Sequence, residues 1–507
     1  MILKSLKILL VIWLVILCFI GMVLFESIDV LMLFFPLENL DAVVFTLTHN
    51  VDGASKVLWV LLEPCLKTAI ENTFLGLAFI ASVVVFFFLV FCKKKFVASF
   101  FLEKCFKPII ICFAVFCLII WLPTIYKFPL MSYIEFYGTL LNDKPIYNSL
   151  YEEDYVHPDS VRFLMGKKRN LILVILESIE SNFQDEKNGG DLKDNLIPDI
   201  TEMINTNVSF LPGGITVEGT GWTMGETVAK TCGIPLQEPI GRNKHGVKNY
   251  LKNSVCLTDF LRKNGYIIKL VQGTNIEFAS MDFFANSHSI EKENIYDLSL
   301  FLKKSVQQSD SSFFRSIKDV DLYGEVKNIV MDLGMQDNPW MLWFFTIDTH
   351  GPYGRVDSEC VEIPEQIEKE KQYPFALQCA SKLIKEFVEW AKMQDWFENT
   401  TIAVMGDHPA MIAPEVVGFS QKKSERYWVN FFVNSEIVSV PDRNRQFTSF
   451  DMYPTILEAM GVNIEGRALG LGRSLFSDEK TLIEKYGKDS LNSLIKRKGT
   501  KYKSFWD

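Results

Sequence analysis

Asp407 and His408 stand side by side in IAVMGDHPAM, where an apolar run ends in glycine and then presents a carboxylate and an imidazole together. Carboxylate oxygen with imidazole nitrogen suits a divalent ion such as Zn2+ or Mn2+. Glu177, directly after another apolar run, offers a third ligand. The stretch Val217 to Leu236, VEGTGWTMGETVAKTCGIPL, supplies a different group. Gly219 and Gly221 permit close backbone approach and unusual dihedrals, and Thr223 opens a pattern that reads as a helix over Met224 to Ala229. A hydroxyl at a helix start has backbone N–H donors and a positive dipole end beside it, a cradle for phosphate. A neutral threonine is a poor nucleophile, and a metal on its oxygen makes alkoxide available. An ordinary helix cap has the same residue in the same place, so the residues alone leave both readings open.

These side chains need elements to bring them together. Asn170 to Leu176 (NLILVIL) is a short aliphatic run of the kind that forms a strand buried on both faces. Similar runs recur at Tyr266 to Val271, Met341 to Ile347, Ile402 to Met405 and Trp428 to Val433. Helical periodicity lies between them, as in Phe375 to Trp396. Strands alternating with helices predict an α/β domain with a mainly parallel central sheet flanked by helices. Ligands collect at the carboxyl ends of such strands. Glu177 follows the first strand, Thr346, Asp348 and His350 end a central one, and Asp407-His408 follow another.

The first quarter of the chain is different. The whole is 49% hydrophobic, and the excess lies in three runs: Ile8 to Phe25, Thr73 to Cys92, and Pro108 to Leu122 ending at Pro123. Their length predicts about three transmembrane helices within residues 1–127. Lys4 and Lys7 precede the first run, and Lys93, Lys94, Lys95, Lys104 and Lys107 crowd the loop before the third. Positive loops stay inside, which places everything after about residue 127 outside the membrane. Residues 128–168 read as a juxtamembrane connector, with Met131 to Leu141 amphipathic enough to lie on the bilayer surface. Residues 169–478 form the catalytic domain and 479–507 a basic tail. Its Lys496, Arg497, Lys498, Lys501 and Lys503 read as a solvated end, with contact to anionic lipid as the other option. Six of the 10 cysteines lie at or before residue 117. The other four suit an oxidising compartment; of three possible pairings, Cys232–Cys256 and Cys360–Cys379 close the smaller loops. A net charge of −9 excludes nucleic acid as a partner.

The segments NLILVIL with ESIES, GTGWT with CGIPL, TIDTHGPYG, VMGDH and the tail TSFDMYPTILEAMGVNIEGRALGLGRSLF together resemble the alkaline-phosphatase/sulfatase superfamily. Within it, GTGWT followed by CGIPL is similar to the branch of phosphoglycerol transferase I and lipoteichoic acid synthase, nearer the former. The resemblance implies a sulfatase-like fold and one divalent ion, Mn or Zn, held by Glu177, Thr223, Asp407 and His408. Thr223 is then also the nucleophile, and His350 contacts phosphate or assists proton transfer. Trp222, Thr274, Asp348 and His288 become candidates for substrate contact, with Gln272, Gly273, Glu277 and Asp282 on a loop bordering the site. Gly351 stands where such relatives tend to carry a second histidine. The implied reaction moves glycerol phosphate from phosphatidylglycerol to a periplasmic or surface glycan through a threonine adduct, at a bacterial inner membrane with the catalytic domain outside. Phosphoethanolamine transfer to lipid A or another surface glycan is the alternative, and a catalytically dead glycan-binding scaffold a second.

Overall fold

A computed structural model describes residues 2–34, 54–91, 106–127 and the chain from Tyr147 on, apart from short segments (207–208, 210, 238–249, 305, 307–308, 311–314, 352, 365–366, 411–413, 419–424, 438–441, 443, 498 and 507). The chain divides into two units, residues 1–40 with 54–141 and residues 41–53 with 142–507.

The first unit is helical: α1 Ile2–Phe34, α2 Ala54–Phe91 and α3 Phe106–Lys127, of 33, 38 and 22 residues. The first and third contain their apolar runs, and the second takes in its run as far as Phe91. α2 starts early enough to take in Glu63, Lys67 and Glu71, and α3 continues through Pro123 instead of ending there. Among the described residues no helix is long and apolar enough to cross a membrane, so the helices alone do not establish the expected spans. The lysine-rich loop and the stretch Met131 to Leu141 lie outside the described residues.

The second unit is built on a six-stranded sheet. Its strands are β1 Asn170–Leu176, β2 Ile267–Gln272, β3 Ile295–Tyr296, β4 Trp340–Phe345, β5 Thr400–Gly406 and β6 Asn430–Val433, in the spatial order β6-β5-β1-β4-β2-β3. All neighbours run parallel except β6, which is antiparallel to β5. The run expected at Trp428 to Val433 thus forms an antiparallel edge, and the two-residue β3 edge was not foreseen.

Alternation of side chains puts Leu171, Leu173 and Ile175 of β1 on one face and Ile172, Val174 and Leu176 on the other, all buried. The second face is covered by α4 Pro198–Thr206, α6 Asp319–Gly334 and α7 Tyr373–Lys392. α5 Thr223–Cys232 and α8 Met452–Ala459 contribute to the first face. Disulfides join Cys232 to Cys256 and Cys360 to Cys379.

Two boundaries differ from expectation. The connector lies outside the described residues as far as 146, but from there it already belongs to the sheet-containing unit: Leu150 and Tyr151 are buried and Phe163–Met165 pairs with Val462–Ile464. The basic tail is folded, because its apolar residues have a place to go. Leu491 and Ile495 of helix α9 Lys488–Lys496 are buried with Tyr502 and Phe505, and the Tyr502 hydroxyl donates to the Pro235 carbonyl at 2.8 Å.

Candidate active site

Strand register decides which side chains meet. β1 and β5 are adjacent and parallel with Leu176 opposite Gly406, so Glu177 and Asp407 leave the sheet together. Gly406 is required there: a β-carbon on it would lie 2.1 Å from the Ile179 carbonyl oxygen. His408 follows at once, and on the other side of β1 the end of β4 brings in Thr346, whose hydroxyl accepts from the Glu177 N–H at 3.0 Å. Thr223 arrives from the opposite direction as the first residue of α5. Its approach loop turns at Gly219, φ +78°, where a β-carbon would sit 2.7 Å from Pro235.

The Thr223 hydroxyl lies 3.1 Å from Asp407 Oδ2 and 3.4 Å from His408 Nε2. Asp407 Oδ1 accepts from the backbone N–H groups of Ser178 and His408, both at 2.7 Å. His408 Nδ1 donates to the Pro409 carbonyl at 3.0 Å. That bond keeps a proton on Nδ1 and leaves Nε2 facing Asp407 Oδ2, 3.3 Å away. Glu177, Asp407 and His408 are buried, and one ligand atom from each lies within 4.8 Å of the others. Three candidate ligand atoms thus converge in a buried corner. Burial, and then the neighbouring Asp407 charge, push the Glu177 carboxyl well above the usual carboxylate range. A divalent cation among these atoms would reverse that penalty, and the two-oxygen, one-nitrogen set with a hydroxyl opposite fits Zn2+ or Mn2+.

Beside the corner opens a small cleft of about 40 Å3. Glu177, Thr223 and Asp407 line it together with Gln272, Gly273 and Thr274, and Met224, Phe278, Met281 and Phe345 give it an apolar wall. The turn at Ala279 and Ser280 holds two successive non-glycine residues at φ 54° and 61°, a strained backbone of the kind found around ligands.

The other expected residues divide. Thr274 lines the cleft, its hydroxyl accepting from Gln272 Nε2 at 3.1 Å. His350 is half-buried, donates from Nδ1 to the Gly351 carbonyl at 2.8 Å, and is held down at about 4 by burial. Its ring is therefore neutral at neutral pH. Trp222 is buried as the N-cap of α5 and is not among the residues lining the cleft.

Asp348 and His288 are not among the residues lining the cleft. Asp348 is spent on Arg355, 2.6 Å from its Nε, and on the Asp319 N–H at 2.9 Å, which fixes the loop that carries His350. His288 is fully buried, with Asp259 Oδ2 at 2.8 Å from Nδ1 and the Tyr250 carbonyl at 2.8 Å from Nε2. It packs by the Cys232–Cys256 disulfide, away from the cleft.

Two ion pairs with buried carboxylates escaped the sequence reading. Glu180, the third residue after Glu177, holds Arg426 Nε at 2.6 Å and the Ala410 N–H at 2.8 Å, bracketing the loop after His408. Glu226 and Lys230 of α5 form an ion pair 1% exposed at each partner, and Lys230 Nζ donates to the Asp407 carbonyl at 2.8 Å. An i,i+4 Glu–Lys pair in a sequence looks like a solvated helix face, so nothing local marked this one as buried.

A family model described as sulfatase matches residues 169–462. Phosphoglycerol transferase I of Salmonella choleraesuis (strain SC-B67) is 26% identical over 328 residues, covering 64% of this chain and 41% of that protein. The protein of the same name from Escherichia fergusonii matches to the same extent, 26% identity with 64% and 41% covered. This chain therefore spans about two fifths of the length of these curated relatives. Among solved structures, the lipoteichoic acid synthase LtaP from Listeria monocytogenes is similar with a TM-score of 0.48 and 16% identity, covering 61% of this chain and 75% of that one.

Proposed function

This chain belongs to the sulfatase family, and from that premise we propose that it is a metal-dependent transferase that moves glycerol phosphate from phosphatidylglycerol to a glycan through a covalent adduct on Thr223. One observation carries the reading: the Thr223 hydroxyl stands at a helix start, 3.1 Å from Asp407 Oδ2 and 3.4 Å from His408 Nε2. Glu177, Asp407, His408 and the Thr223 oxygen would hold the ion. When bound, the ion supplies charge neutralisation for phosphoryl oxygens and lowers the hydroxyl pKa.

The residues do the rest. Thr223 Oγ1 attacks phosphorus and the bond to the diacylglycerol oxygen breaks; the threonine proton ends on that departing oxygen. The backbone N–H groups at the start of α5 face the phosphoryl group. In the second half-reaction a glycan hydroxyl attacks the same phosphorus, the bond from phosphorus to Thr223 Oγ1 breaks, and the glycan hydroxyl's proton restores the Thr223 hydroxyl. His350, neutral at pH 7, is assigned contact with the phosphate or help with that proton transfer.

Cleft chemistry favours glycerol over ethanolamine. Among the described lining residues the only carboxylates are Glu177 and Asp407, both in the ligand set, while Gln272 and Thr274 offer neutral polar groups. A diol is matched by amide and hydroxyl partners; an ammonium would lack a carboxylate of its own.

Membrane attachment of the first unit, with the catalytic unit extracytoplasmic, belongs to the same proposal. It is supported by the large apolar side chains that face outward on all three helices: Trp13, Phe74, Phe79, Ile119 and Leu122 are 63, 69, 69, 63 and 62% exposed. Contiguous apolar surface of this kind calls for lipid or a partner. The two disulfides of the catalytic unit suit an oxidising compartment.

The test incubates the full chain with Mn2+ or Zn2+ and vesicles of labelled phosphatidylglycerol or phosphatidylethanolamine, followed by mass spectrometry of the Thr223 peptide. The expected product is a glycerol-phosphate adduct. An ethanolamine-phosphate adduct would favour the other headgroup, and transfer that persists in Thr223→Ala would end the nucleophile assignment.

A further inference from the structure

Lys230 is out of place for a lysine. It sits on α5 at 1% exposure, with its ammonium paired to Glu226, 4.2 Å above the centroid of the buried Trp428 ring and 2.8 Å from the Asp407 carbonyl oxygen. Removing two charges from water costs several kcal/mol for each ion, and such a pair is rarely better for stability than apolar residues of similar size. What it does provide is direction. Thr223, seven residues earlier on the same helix, reaches the Asp407 side chain, and Lys230 reaches the Asp407 backbone. One helix therefore grips one residue at two points, about 10 Å apart along its axis.

We infer that Lys230, neutralised by Glu226, is a positioning residue that fixes the Asp407-His408 loop relative to the Thr223 nucleophile. Asp407 Oδ1 is already held by the N–H groups of Ser178 and His408; the Lys230 bond to the carbonyl fixes the remaining freedom of that backbone. Glu226 keeps the ammonium from acting as an uncompensated positive charge beside an ion-binding corner. This rests on the reading of Glu177, Asp407 and His408 as metal ligands.

The variant that separates position from stability is the double substitution Glu226→Gln with Lys230→Met, which removes both charges and keeps the volume. In the full chain it is expected to melt near the wild-type temperature while Mn2+ or Zn2+, followed by titration calorimetry, binds roughly 10–100-fold more weakly, the range seen when partners behind metal ligands are lost. kcat is expected to fall with KM for the lipid donor unchanged, since the lipid does not touch Lys230. Lys230→Arg is the second variant: it keeps the charge on Glu226, but its larger head displaces the carbonyl, so ion affinity and kcat fall there too. Wild-type affinity and kcat in either folded variant overturn the proposal, and failure of both to fold reduces Lys230 to a structural residue and overturns it as well. A wild-type chain that takes up no ion would instead sink the ligand assignment beneath it.

Discussion

Glu177 shows how one carboxylate serves the site at a cost to the fold. It is buried 4% exposed beside Asp407, accepts from the Ser178 hydroxyl at 2.6 Å, and its proton is held well above the ordinary range by burial and the neighbouring charge. Glu177→Gln keeps the shape and the Ser178 bond but takes away the carboxylate that would face an ion. Ion affinity measured by calorimetry should drop by more than ~100-fold, beyond the effect of an outer partner. The ion-free protein should move the other way, with stability rising by about 1 kcal/mol, or roughly 1–2 °C in Tm for a unit of this size. A variant that loses both affinity and ion-free stability would mean that Glu177 is a packing residue. Residues of this kind were legible because each ends an apolar run. Asp348 and His288 were not, since the same residue types at a loop start give no sign of whether the side chain turns to solvent, to a cleft or, as here, to Arg355 and Asp259.

At the scale of elements, α5 depends on what lies behind it. α8 packs on it, and the turn into α8 is capped by Asp451, whose Oδ2 accepts from the Thr448 N–H at 2.8 Å and Oδ1 from the Arg473 N–H at 2.7 Å. Burial pushes the Asp451 carboxyl up to about 6 despite those two donors. A folded value above the unfolded one of 3.8 means that the native state binds the extra proton. Its stabilisation is therefore full below pH 4 and is lost as pH rises to about 6, by at most roughly 3 kcal/mol. The Tm advantage of wild type over Asp451→Asn should shrink across that interval and stay constant above it. An advantage that grows with pH would show that the two N–H donors outweigh burial. The strands were legible from their unbroken aliphatic runs, β1 to the residue. The antiparallel direction of β6 was not, because a strand buried on both faces has the same composition in either direction.

At the scale of the molecule, the C-terminal segment is part of the sheet-containing unit. Leu491, Ile495, Tyr502 and Phe505 are 0–4% exposed, and Asn492 Oδ1 accepts from the Glu218 N–H at 2.8 Å, just ahead of the Thr223 loop. Four such side chains at about 1.5–3 kcal/mol each match the whole stability of a typical domain. Truncation after Asp478 is therefore expected to give a protein without a cooperative melt by circular dichroism. A truncated chain that melts like the full one would return the segment to the status of a loose end.

By itself the sequence determined the class of fold, the strands that carry ligands, and the identity of Glu177, Thr223, Asp407 and His408 as the residues worth testing. Those are properties of local patterns: aliphatic runs form strands, and polar residues at their ends have nowhere to go but the sheet's carboxyl edge. Only the tertiary structure decided that Lys230 and Glu226 are buried, that Asp348 and His288 are consumed by structural bonds, and that the basic tail is packed. Each of these turns on which distant segment supplies the partner, and a charge or a hydrogen-bonding group is satisfied by whatever the fold brings within about 3 Å, which neighbours in sequence do not specify.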